Sequence, residues 1–578
     1  MINITINDIK LQVPYGTTIL DAAKMANIHI PTLCHLNLHD INMVNRTASC
    51  RVCLVEVEGR RNLAPACATE CVEGMVIRTN TKRAIRARRT MVELLLSDHP
   101  TDCLVCEKNG NCDLQRLAAE LGIRKIRYEG EKSTYTKDGS SGALYRNPDK
   151  CIMCRRCETM CNEVQTCGIY SAVDRGFETV VAPAFNLPMI DTQCTFCGQC
   201  VSVCPTAALT EVSYVDKVWE ALFDPEKYVI AQTAPAIRVA LGEEFGFAPG
   251  YDVTGKMVAA LRRLGFKKVF DTNFAADVTI VEEAKEFIDR LNGKGRLPIL
   301  TSCCPSWVKF IEHQFPELLD VPSTCKSPHM MFGAIAKTYF AEKFNIDPEK
   351  IVVVSVMPCI AKKYEIQRKE FKHGNLQDVD YVITTREFAR MIREAGLDFT
   401  KLPDEDFDNP LGESTGAAVI FGATGGVIEA ALRTAYEWIT GESLGNVEFN
   451  EVRGFKGFKE ATVKIKDMDI KIGVANGLGN ARKLLEDIRD GKRFYHAIEI
   501  MACPGGCING GGQPYHHGNL DIVKARLEAL YKVDRSKPFR KSHENPAVIQ
   551  MYKEYIGEIG GQKAHKLLHT HYTKREKI

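Results

Sequence analysis

The spacing of its cysteines constrains this chain more than any other feature. The sequence contains 23 cysteines among 578 residues, and most of them stand in short runs with two or three residues between neighbours. Disulfides explain such runs poorly in a large chain without a secretion signal, because cytosolic thiols are kept reduced. Buried structural cysteines need no fixed spacing. The pattern therefore indicates metal ligation.

Length and charge exclude several classes of protein. At 578 residues the chain is expected to form several domains, because single cores rarely grow beyond about 250–300 residues. The net charge of +2 gives no sign of a nucleic-acid-binding surface. No apolar run is long enough to predict a transmembrane helix, and residues 1–7 lack the features of a signal peptide. We therefore expect a cytoplasmic protein that binds neither nucleic acid nor membrane.

Three cysteine-containing loops in the second half of the chain are expected to meet. Each follows a short apolar run that is typical of a buried parallel strand, and each precedes a possible helix start. Loops at the carboxyl ends of parallel strands are where α/β folds bind ligands. Together they would present five thiols to one centre. The loops are residues 301–307, 357–359 and 501–507, and the runs are residues 297–300, 351–354 and 497–500.

The loop sequences TSCCP, MPC and MACPGGC resemble the active-site motifs of the FeFe hydrogenases. The resemblance implies an α/β hydrogenase domain over residues 210–540, with two small parallel sheets around an H-cluster. In this family the H-cluster is a 4Fe–4S cubane joined to a two-iron subsite with carbonyl, cyanide and dithiolate ligands. The resemblance assigns the cubane to Cys304, Cys359, Cys503 and Cys507, with Cys507 also bridging to the subsite. Soft thiolates suit iron.

The first 80 residues predict a small domain with its own cluster. Apolar alternation on both sides of Asn7-Asp8 predicts a β-hairpin, and a helix is expected after Thr18. The following array, C-x15-C-x2-C-x13-C, has the four thiolates that a 2Fe–2S cluster needs. It resembles the β-grasp, plant-type ferredoxin domain of large FeFe hydrogenases and of the complex I iron–sulfur subunit. The implied ligands are Cys34, Cys50, Cys53 and Cys67, with Cys71 interpreted as a bystander.

Residues 81–125 resemble a second domain of the same two families. A basic segment with helical spacing, residues 82–96, leads to the pattern H-x3-C-x2-C-x5-C. A histidine taken alone is more often a surface or capping residue, but three cysteines at the family spacing favour a 4Fe–4S cluster. Imidazole in place of thiolate removes one negative charge and should raise the potential of the cluster. The implied ligands are His99, Cys103, Cys106 and Cys112.

An internal repeat predicts two more 4Fe–4S clusters within residues 126–209. After a Gly-, Ser- and Lys-rich linker at 126–145, the run C-x2-C-x2-C-x3-C occurs twice. In two-cluster ferredoxins the fourth cysteine of each run binds the other cluster. One predicted set is Cys151, Cys154, Cys157 and Cys204, and the other is Cys194, Cys197, Cys200 and Cys161. Cys167 lies outside the pattern and is interpreted as structural.

The family resemblance also assigns residues around the two-iron subsite. Lys362, three residues after the ligand Cys359, matches the lysine that hydrogen-bonds a cyanide. Without the motif it would be interpreted as a surface lysine. Six further residues match the lining of the pocket, although any one of them alone would more often be plain core. They are Pro235, Ser327, Pro328, Met357, Phe421 and Met501.

A proton route is expected beside the cluster. Cys303 is not a ligand in this family but the last proton carrier, and a free thiol has a pKa of about 8.5. Glu283, Glu286 and Arg290 have the spacing of one helix face, and with Ser323 they match the proton path of the family. Without the motif, these charges would be interpreted as a solvated face.

Three departures from the family pattern concern the subtype. Pro504 stands where the best-known monomeric members have histidine, Ala236 replaces a serine, and His329 replaces a glutamine. These variants resemble catalytic subunits of multimeric bifurcating hydrogenases that use NADH and ferredoxin. The sequence has no G-x-G-x-x-G after a strand, so NADH would need a flavoprotein partner. Ferredoxin is the other expected partner, and maturation proteins would build the two-iron subsite.

The coarse pattern beyond residue 210 alternates helices with buried strands. Strands are expected near 228–231 and 472–475, and a helix over 252–266. Residues 541–578 resemble the accessory segment that wraps the catalytic domain, and from about His543 they predict an amphipathic helix. Its basic end is Lys574, Arg575 and Lys577.

Two other functions compete with a hydrogenase. A non-catalytic electron carrier like the complex I subunit would explain residues 1–205 but not the three later loops. A hydrogen sensor of the same superfamily tends to lack the proton-carrying cysteine, and Cys303 argues against it. The sequence therefore favours reversible reduction of protons to dihydrogen, fed with electrons by four accessory clusters.

Overall fold

The computed structural model describes residues 1–576, so the predicted basic end at Lys577 lies outside the described residues. These residues form one five-stranded sheet, two four-stranded sheets and several two-stranded ribbons. None of the described helices is long and apolar enough to cross a membrane. The strands of the two four-stranded sheets lie between residues 228 and 501, and these sheets position the three cysteine loops.

The amino-terminal sheet begins with the predicted hairpin. Strands Ile2–Ile6 and Ile9–Val13 pair antiparallel around Asn7 and Asp8, which both have positive φ, as a tight two-residue turn requires. Thr18 caps the helix Ile19–Met25 by accepting a hydrogen bond from Asp21 N–H. Both predictions are confirmed. The remaining strands of the sheet are Leu54–Val57, Ala64–Pro65 and Val76–Arg78, and a separate ribbon pairs Leu36–Leu38 with Met43–Asn45.

The next region consists of short elements that pack around cysteines. The predicted basic helix is present as Lys82–Asp98, capped by Thr81. Most elements here are shorter than two helical turns, so side chains around the cysteines, such as Phe196 and Met189, provide the core. The other elements are helices Asp113–Glu120, Arg156–Thr159 and Gln199–Val203, and strand pairs Leu144–Arg146 with Leu209–Glu211 and Ser171–Val173 with Val180–Ala182.

The first of the two four-stranded sheets, which we call the first catalytic sheet because it leads into the cysteine loop at residues 357–359, is fully parallel. Its strands occur in the order Lys268–Asp271, Tyr228–Thr233, Ile351–Met357 and Tyr381–Thr384. Every residue of the strand Ile351–Met357 is buried, as expected for a central parallel strand covered on both faces. The prediction of a small parallel sheet is confirmed here.

The second catalytic sheet differs from the prediction. Strands Ile299–Leu300, Ala497–Met501 and Met468–Asn476 are parallel, but Phe458–Ile465 pairs antiparallel with Met468–Asn476. The two long strands form a hairpin, and residues 460, 462 and 464 of its outer strand are exposed while their neighbours are partly or fully buried. An edge strand with one wet face is stable in antiparallel pairing. The prediction of two purely parallel sheets is therefore wrong for this sheet.

Helices cover both sheets. The longest, Thr272–Leu291, is buried along most of its length and packs against the helices that begin at Pro328 and Gly426. The other helices are Val215–Phe223, Thr254–Arg263, Pro305–Gln314, Pro328–Ile335 (extended to Lys343), Ala361–Glu365, Thr385–Glu394, Gly416–Val419, Gly426–Thr440, Leu478–Arg489, Leu520–Ser536, Pro546–Met551 and Gln562–Leu568.

Two predicted helices are shorter or absent. Helices follow the first two cysteine loops, but only a 3₁₀ turn, Cys507–Asn509, follows the third. Gly505 and Gly506 have positive φ, which ends regular structure there. The carboxyl-terminal segment is not one amphipathic helix, because glycines between 557 and 561 interrupt it and residues 569–576 are not helical.

Candidate active site

The three cysteine loops meet where strands of the two catalytic sheets end. Hydrogen bonds tie the loops together: Gly512 N–H donates to the Pro358 carbonyl at 2.8 Å, and Ala502 N–H lies 3.5 Å from the acceptor Cys304 Sγ. Burial raises the pKa of the Cys503 thiol well above its usual range, and the other three thiols raise it further. The loops thus bring together Cys304, Cys359, Cys503 and Cys507.

Four thiols in such a site suit iron. Burial raises the pKa of Cys359 to about 12, and the neighbouring Cys304 thiol raises it as well. Ionised thiols at this density need a compensating cation. Iron–sulfur clusters supply one and are held by cysteine thiolates. The donor set therefore fits the predicted cubane, whose ligand assignment stays a prediction.

Glycines make the close approach of these loops possible. A Cβ atom at Gly506, where φ is +104°, would lie 2.7 Å from the backbone nitrogen of Thr424. A Cβ atom at Gly510 would lie 2.2 Å from the carbonyl oxygen of Pro358. The tight turn predicted between Cys503 and Cys507 is confirmed, and its glycines also leave room for the neighbouring backbone.

Side chains distant in sequence hold the third loop. The Gln165 side chain donates to the Ala502 carbonyl at 3.0 Å and accepts from Leu478 N–H at 3.0 Å. Asn476 Oδ1 accepts a hydrogen bond from Gly505 N–H at 3.0 Å. Sequence analysis missed both residues, since no local motif marks a side chain that fixes a loop 29 or 337 residues away.

Lys362 belongs to a buried polar network. Its Nζ donates to the Cys303 carbonyl at 3.0 Å and to Glu365 Oε2 at 2.7 Å, while His329 Nε2 lies 2.6 Å from the same carboxylate oxygen. On its other side, His329 Nδ1 lies 3.3 Å from Ser355 Oγ. The surface interpretation of Lys362 is therefore wrong. Sequence analysis missed Glu365, which follows Lys362 by one helical turn.

The charges in this network follow from burial. Burial lowers the pKa of His329 to about 4, and Lys362 lowers it further, so the imidazole is neutral. Burial also acts to raise the pKa of Glu365, but Lys362 and His329 hold it at about 2. A neutral histidine thus orients a carboxylate that pairs with the lysine, which fixes the lysine beside the cysteine loops.

Four of the six predicted pocket residues lie beside the cysteine loops. Phe421 and Met501 form an apolar cluster with Cys303. Met357 ends a buried strand of the first sheet, and Ala234 N–H donates to the Val356 carbonyl at 3.0 Å, which places Pro235 beside that strand end. Ser327 and Pro328 start a buried helix. Ser327 Oγ is buried and has no partner among the described residues, as fits a donor for a bound group.

The residues predicted to form a proton route lie on or beside the helix Thr272–Leu291. The Ser323 hydroxyl donates to Glu286 Oε2 at 2.9 Å, and Arg290 Nη2 donates to Glu286 Oε1 at 2.6 Å. Burial raises the pKa of Glu283 to about 8, with Glu286 adding to the rise and the Ser323 hydroxyl opposing it. Burial also raises the pKa of Cys303 well above its usual range, and the Glu283 charge raises it further. The five groups are therefore neighbours.

The amino-terminal cysteines group around one point. Cys34 N–H lies 3.4 Å from Cys50 Sγ, and the Cys34 and Cys53 thiols contact the Cys67 thiol. Burial raises the pKa of Cys71 to about 11, and no other cysteine contributes to that rise. The fold thus places Cys67, and not Cys71, beside the other three thiols.

The histidine-containing set is partly exposed. His99 Nδ1 is buried and has no partner among the described residues, as expected of an atom that would bind a metal. Burial raises the pKa of Cys112, and the Cys106 thiol contributes to the rise. Cys103 is exposed at the start of a short turn that also exposes Leu104 and Val105. This set therefore lies at the surface of the protein.

The two repeated cysteine runs exchange their fourth members in space. Cys157 has Cys151, Cys154 and Cys204 as neighbours, and these residues line one cavity. Cys200 has Cys161, Cys194 and Cys197 as neighbours. Cys197 also lies near Cys503 of the catalytic loops. The second set therefore stands next to the catalytic centre. Cys167, interpreted as structural, lies near Cys161 and Cys197.

Comparisons with known families agree with this organisation. Residues 227–511 match the C-terminal domain of the iron-only hydrogenase large subunit, and residues 520–575 match the iron hydrogenase small subunit. Residues 1–82 match a 2Fe–2S cluster binding domain, and residues 189–210 match a 4Fe–4S binding domain. Residues 88–127 match the iron–sulfur binding region of NADH-ubiquinone oxidoreductase G.

Whole-length relatives give the same result. The chain is 62% identical to the NADP-reducing hydrogenase subunit HndD of Solidesulfovibrio fructosivorans, over 100% of both chains. It is 41% identical to iron hydrogenase 1 of Clostridium pasteurianum, over 99% of this chain and 100% of that one. A solved structure of apo-hydrogenase HydA1 from Chlamydomonas reinhardtii is 41% identical, with a TM-score of 0.57, over 63% of this chain and 99% of that one. The chain therefore belongs to the FeFe hydrogenases and is an oxidoreductase with an H-cluster domain and iron–sulfur domains.

Proposed function

We propose that the chain catalyses the reversible reduction of protons to dihydrogen at an H-cluster held by Cys304, Cys359, Cys503 and Cys507. The observation that supports this most is the meeting of these four thiols beside a fifth, Cys303, that the ligand set does not use. When bound, the H-cluster supplies the electrons and the metal site at which protons and hydrogen interconvert. The chain itself holds the cluster, excludes water and moves protons.

Lys362 and Ser327 act as hydrogen-bond donors toward the two-iron subsite in this proposal. Ser327 Oγ is buried without a partner in the part of the chain that the structure describes, and Glu365 fixes the ammonium group of Lys362. Phe421 and Met501 pack with Cys303 and exclude water from that side of the pocket. A donor in a dry site stabilises negative charge more than the same donor in water. Pro235, Pro328 and Met357 complete the wall.

Protons move through Cys303, Glu283, Ser323 and Glu286, and Arg290 marks the outer end. Glu283 suits this task because its pKa of about 8 lets it hold a proton at neutral pH and release it within the same range. The Ser323 hydroxyl connects the two carboxylates, and Arg290 holds Glu286 in place.

Four accessory clusters pass electrons to the catalytic centre. We assign a 2Fe–2S cluster to residues 1–80, a 4Fe–4S cluster with one histidine ligand to residues 81–125, and two 4Fe–4S clusters to residues 126–209. The cluster of Cys161, Cys194, Cys197 and Cys200 is the last that electrons reach before the catalytic centre, because Cys197 lies near Cys503. The catalytic domain extends over 210–540, and the accessory segment over 541–578.

The electrons come from ferredoxin, from a flavoprotein subunit that oxidises a nicotinamide, or from both in a bifurcating complex. The similarity to a subunit of an NADP-reducing hydrogenase and to a region of NADH-ubiquinone oxidoreductase supports a multisubunit assembly. Maturation proteins supply the two-iron subsite. We place the protein in the cytoplasm.

A comparison of electron donors tests the proposed function. Matured protein, purified as a single chain, is expected to produce hydrogen with a reduced dye but not with NADH, because no dinucleotide-binding motif occurs in the sequence. Its infrared spectrum should contain carbonyl and cyanide bands. Absence of both the bands and dye-driven hydrogen would contradict the hydrogenase proposal, whereas activity with NADH would contradict the need for a flavoprotein subunit.

Replacement of His329 tests the network around Lys362. His329→Leu removes one of the two partners of the buried Glu365 carboxylate and leaves only Lys362, so the catalytic domain should lose about 1–3 kcal/mol of stability. The cyanide bands of the H-cluster should also shift, because Lys362 loses its fixed position. His329→Gln, which retains a donor, is the matched control and should keep both properties near those of the native protein. Unchanged cyanide bands in His329→Leu would show that His329 does not position Lys362.

A further inference from the structure

A second group of metal-binding side chains lies outside the five cysteine sets. A carboxylate oxygen of Glu286, the thiol of Cys325 and a ring nitrogen of His569 lie within 4.8 Å of one another. Cys325 is 1% exposed, and no step of the proposed reaction uses it. Thiol, imidazole and carboxylate together are the donors that Zn²⁺ prefers in proteins.

Backbone pairing fixes two of these donors. Cys325 and His569 form an isolated antiparallel bridge, in which Lys326 N–H donates to the Leu568 carbonyl at 2.8 Å and Thr570 N–H donates to the Thr324 carbonyl at 2.7 Å. Side chains that stand opposite each other in such a bridge are close by geometry. The extended end of the chain thus brings the imidazole to the thiol.

The third donor comes from the helix Thr272–Leu291. Glu286 Oε2 accepts hydrogen bonds from Ser323 Oγ and from Thr324 N–H, which hold the carboxylate beside the bridge. Glu282, one turn earlier, is completely buried and lies 3.1 Å from His569 Nε2. It is placed to supply a fourth ligand atom.

Charge and access also suit a cation. The carboxylates of Glu282, Glu283 and Glu286 all face the Cys325 thiol. Arg290 pairs with Glu286 on the side away from Thr324. An open cavity of the surface is lined by Glu286, Thr324 and His569, so a hydrated ion can reach the carboxylate and the imidazole, and the Cys325 thiol lies behind them.

We propose that Glu286, Cys325 and His569 bind Zn²⁺, with Glu282 or a water as the fourth ligand. Binding forms a zinc–sulfur bond and releases the thiol proton to solvent. Zinc bonds of about 2.0–2.3 Å place tetrahedral ligand atoms roughly 3.3–3.8 Å apart, so the side chains must close by about 1 Å. The His569 ring makes two hydrogen bonds, and it loses at least one of them when it binds the ion.

Zinc bound here occupies Glu286 and so inhibits turnover reversibly. This effect rests on the proposed function, in which Glu286 transfers protons, whereas the binding site itself rests on the donors alone. The two claims are measured separately. Zinc K-edge absorption reports the ligands of the bound ion, and the iron of the clusters does not contribute at that edge.

Matured full-length protein is treated with a chelator and then titrated with ZnCl₂. One zinc per chain is expected, with one sulfur and three nitrogen or oxygen neighbours. Dye-driven hydrogen production should fall by about 10²-fold or more, since loss of a proton-transfer group typically costs ~10²–10⁴-fold, and EDTA should restore it. Cys325→Ala and His569→Gln should each lose the zinc while producing hydrogen normally without zinc.

Glu437, His543 and Glu544 are another set of side chains that could hold a metal ion, and they provide the matched control. His543→Gln should bind zinc and be inhibited like the native protein. Zinc without a sulfur neighbour, or binding that persists in both Cys325→Ala and His569→Gln, identifies an adventitious ion only and overturns the site. Zinc bound through sulfur without loss of turnover overturns the inhibition and removes Glu286 from the proton route.

Discussion

Replacing Cys303 with alanine is expected to lower hydrogen turnover by about 10²–10⁴-fold while the infrared bands of the H-cluster persist. The thiol lies in an apolar cluster with Phe421 and Met501 and has Glu283 as a neighbour. Lys362 bonds to the carbonyl of Cys303 and not to its thiol. The thiol is therefore free to exchange a proton, and alanine removes this capacity without removing a cluster ligand.

Three further variants separate proton transfer from packing. Cys303→Asp should retain part of the rate, because a carboxyl group also exchanges protons, whereas Cys303→Ser should retain little, since a hydroxyl is a far weaker acid. Cys325→Ala, which removes another buried thiol of the same region, should leave turnover unchanged. Native turnover in Cys303→Ala, with the cofactor bands present, would exclude Cys303 from the mechanism.

Replacing Cys200 with alanine is expected to abolish hydrogen production with a protein electron donor. Cys200 belongs to the thiol group that includes Cys197, and Cys197 lies near the catalytic Cys503. Loss of this cluster would interrupt the route from all the clusters that precede it. A small dye that reaches the catalytic centre directly should still drive part of the reaction. The measurements are hydrogen production with reduced ferredoxin and with dye, and electron paramagnetic resonance of the clusters.

Two controls accompany this variant. Cys167→Ala removes a nearby thiol that the ligand sets do not use, and it should keep all clusters and both activities. Cys50→Ala should remove only the 2Fe–2S signal, because the amino-terminal domain has a separate core. Full ferredoxin-driven activity in Cys200→Ala, with its cluster signal lost, would show that electrons bypass the two-cluster domain.

Local patterns predicted the parts of the structure that depend on local chemistry. Cysteine spacing predicted that the two repeated runs form two groups of thiols, and the predicted exchange of Cys161 and Cys204 between the runs agrees with the placement of the thiols in space. The hairpin at residues 2–13 was predictable because alternation and turn residues both lie within a few positions. In these cases the residues that interact are close in sequence or belong to one repeated motif.

Sequence analysis did not predict the features that depend on contacts between residues distant in sequence. The strand Phe458–Ile465 has an alternating pattern, but only its antiparallel partner decides its direction in the sheet. His329 meets Glu365 through tertiary packing, so the network around Lys362 had no sequence signal beyond the unusual histidine. Cys325 and His569 are more than two hundred residues apart, and only the extended end of the chain unites them.

The path of the carboxyl-terminal segment has a consequence for the order of folding during synthesis. Glu282 is completely buried, and its partners are Tyr552, the backbone of Gly560, and His569. Chains fold from the amino terminus as they are synthesised, so this carboxylate meets none of these three partners until almost the whole chain has been made. The helix Thr272–Leu291, which holds Glu282, therefore completes its packing late. A ribosome-bound chain arrested before residue 552 should leave this helix open to hydrogen exchange.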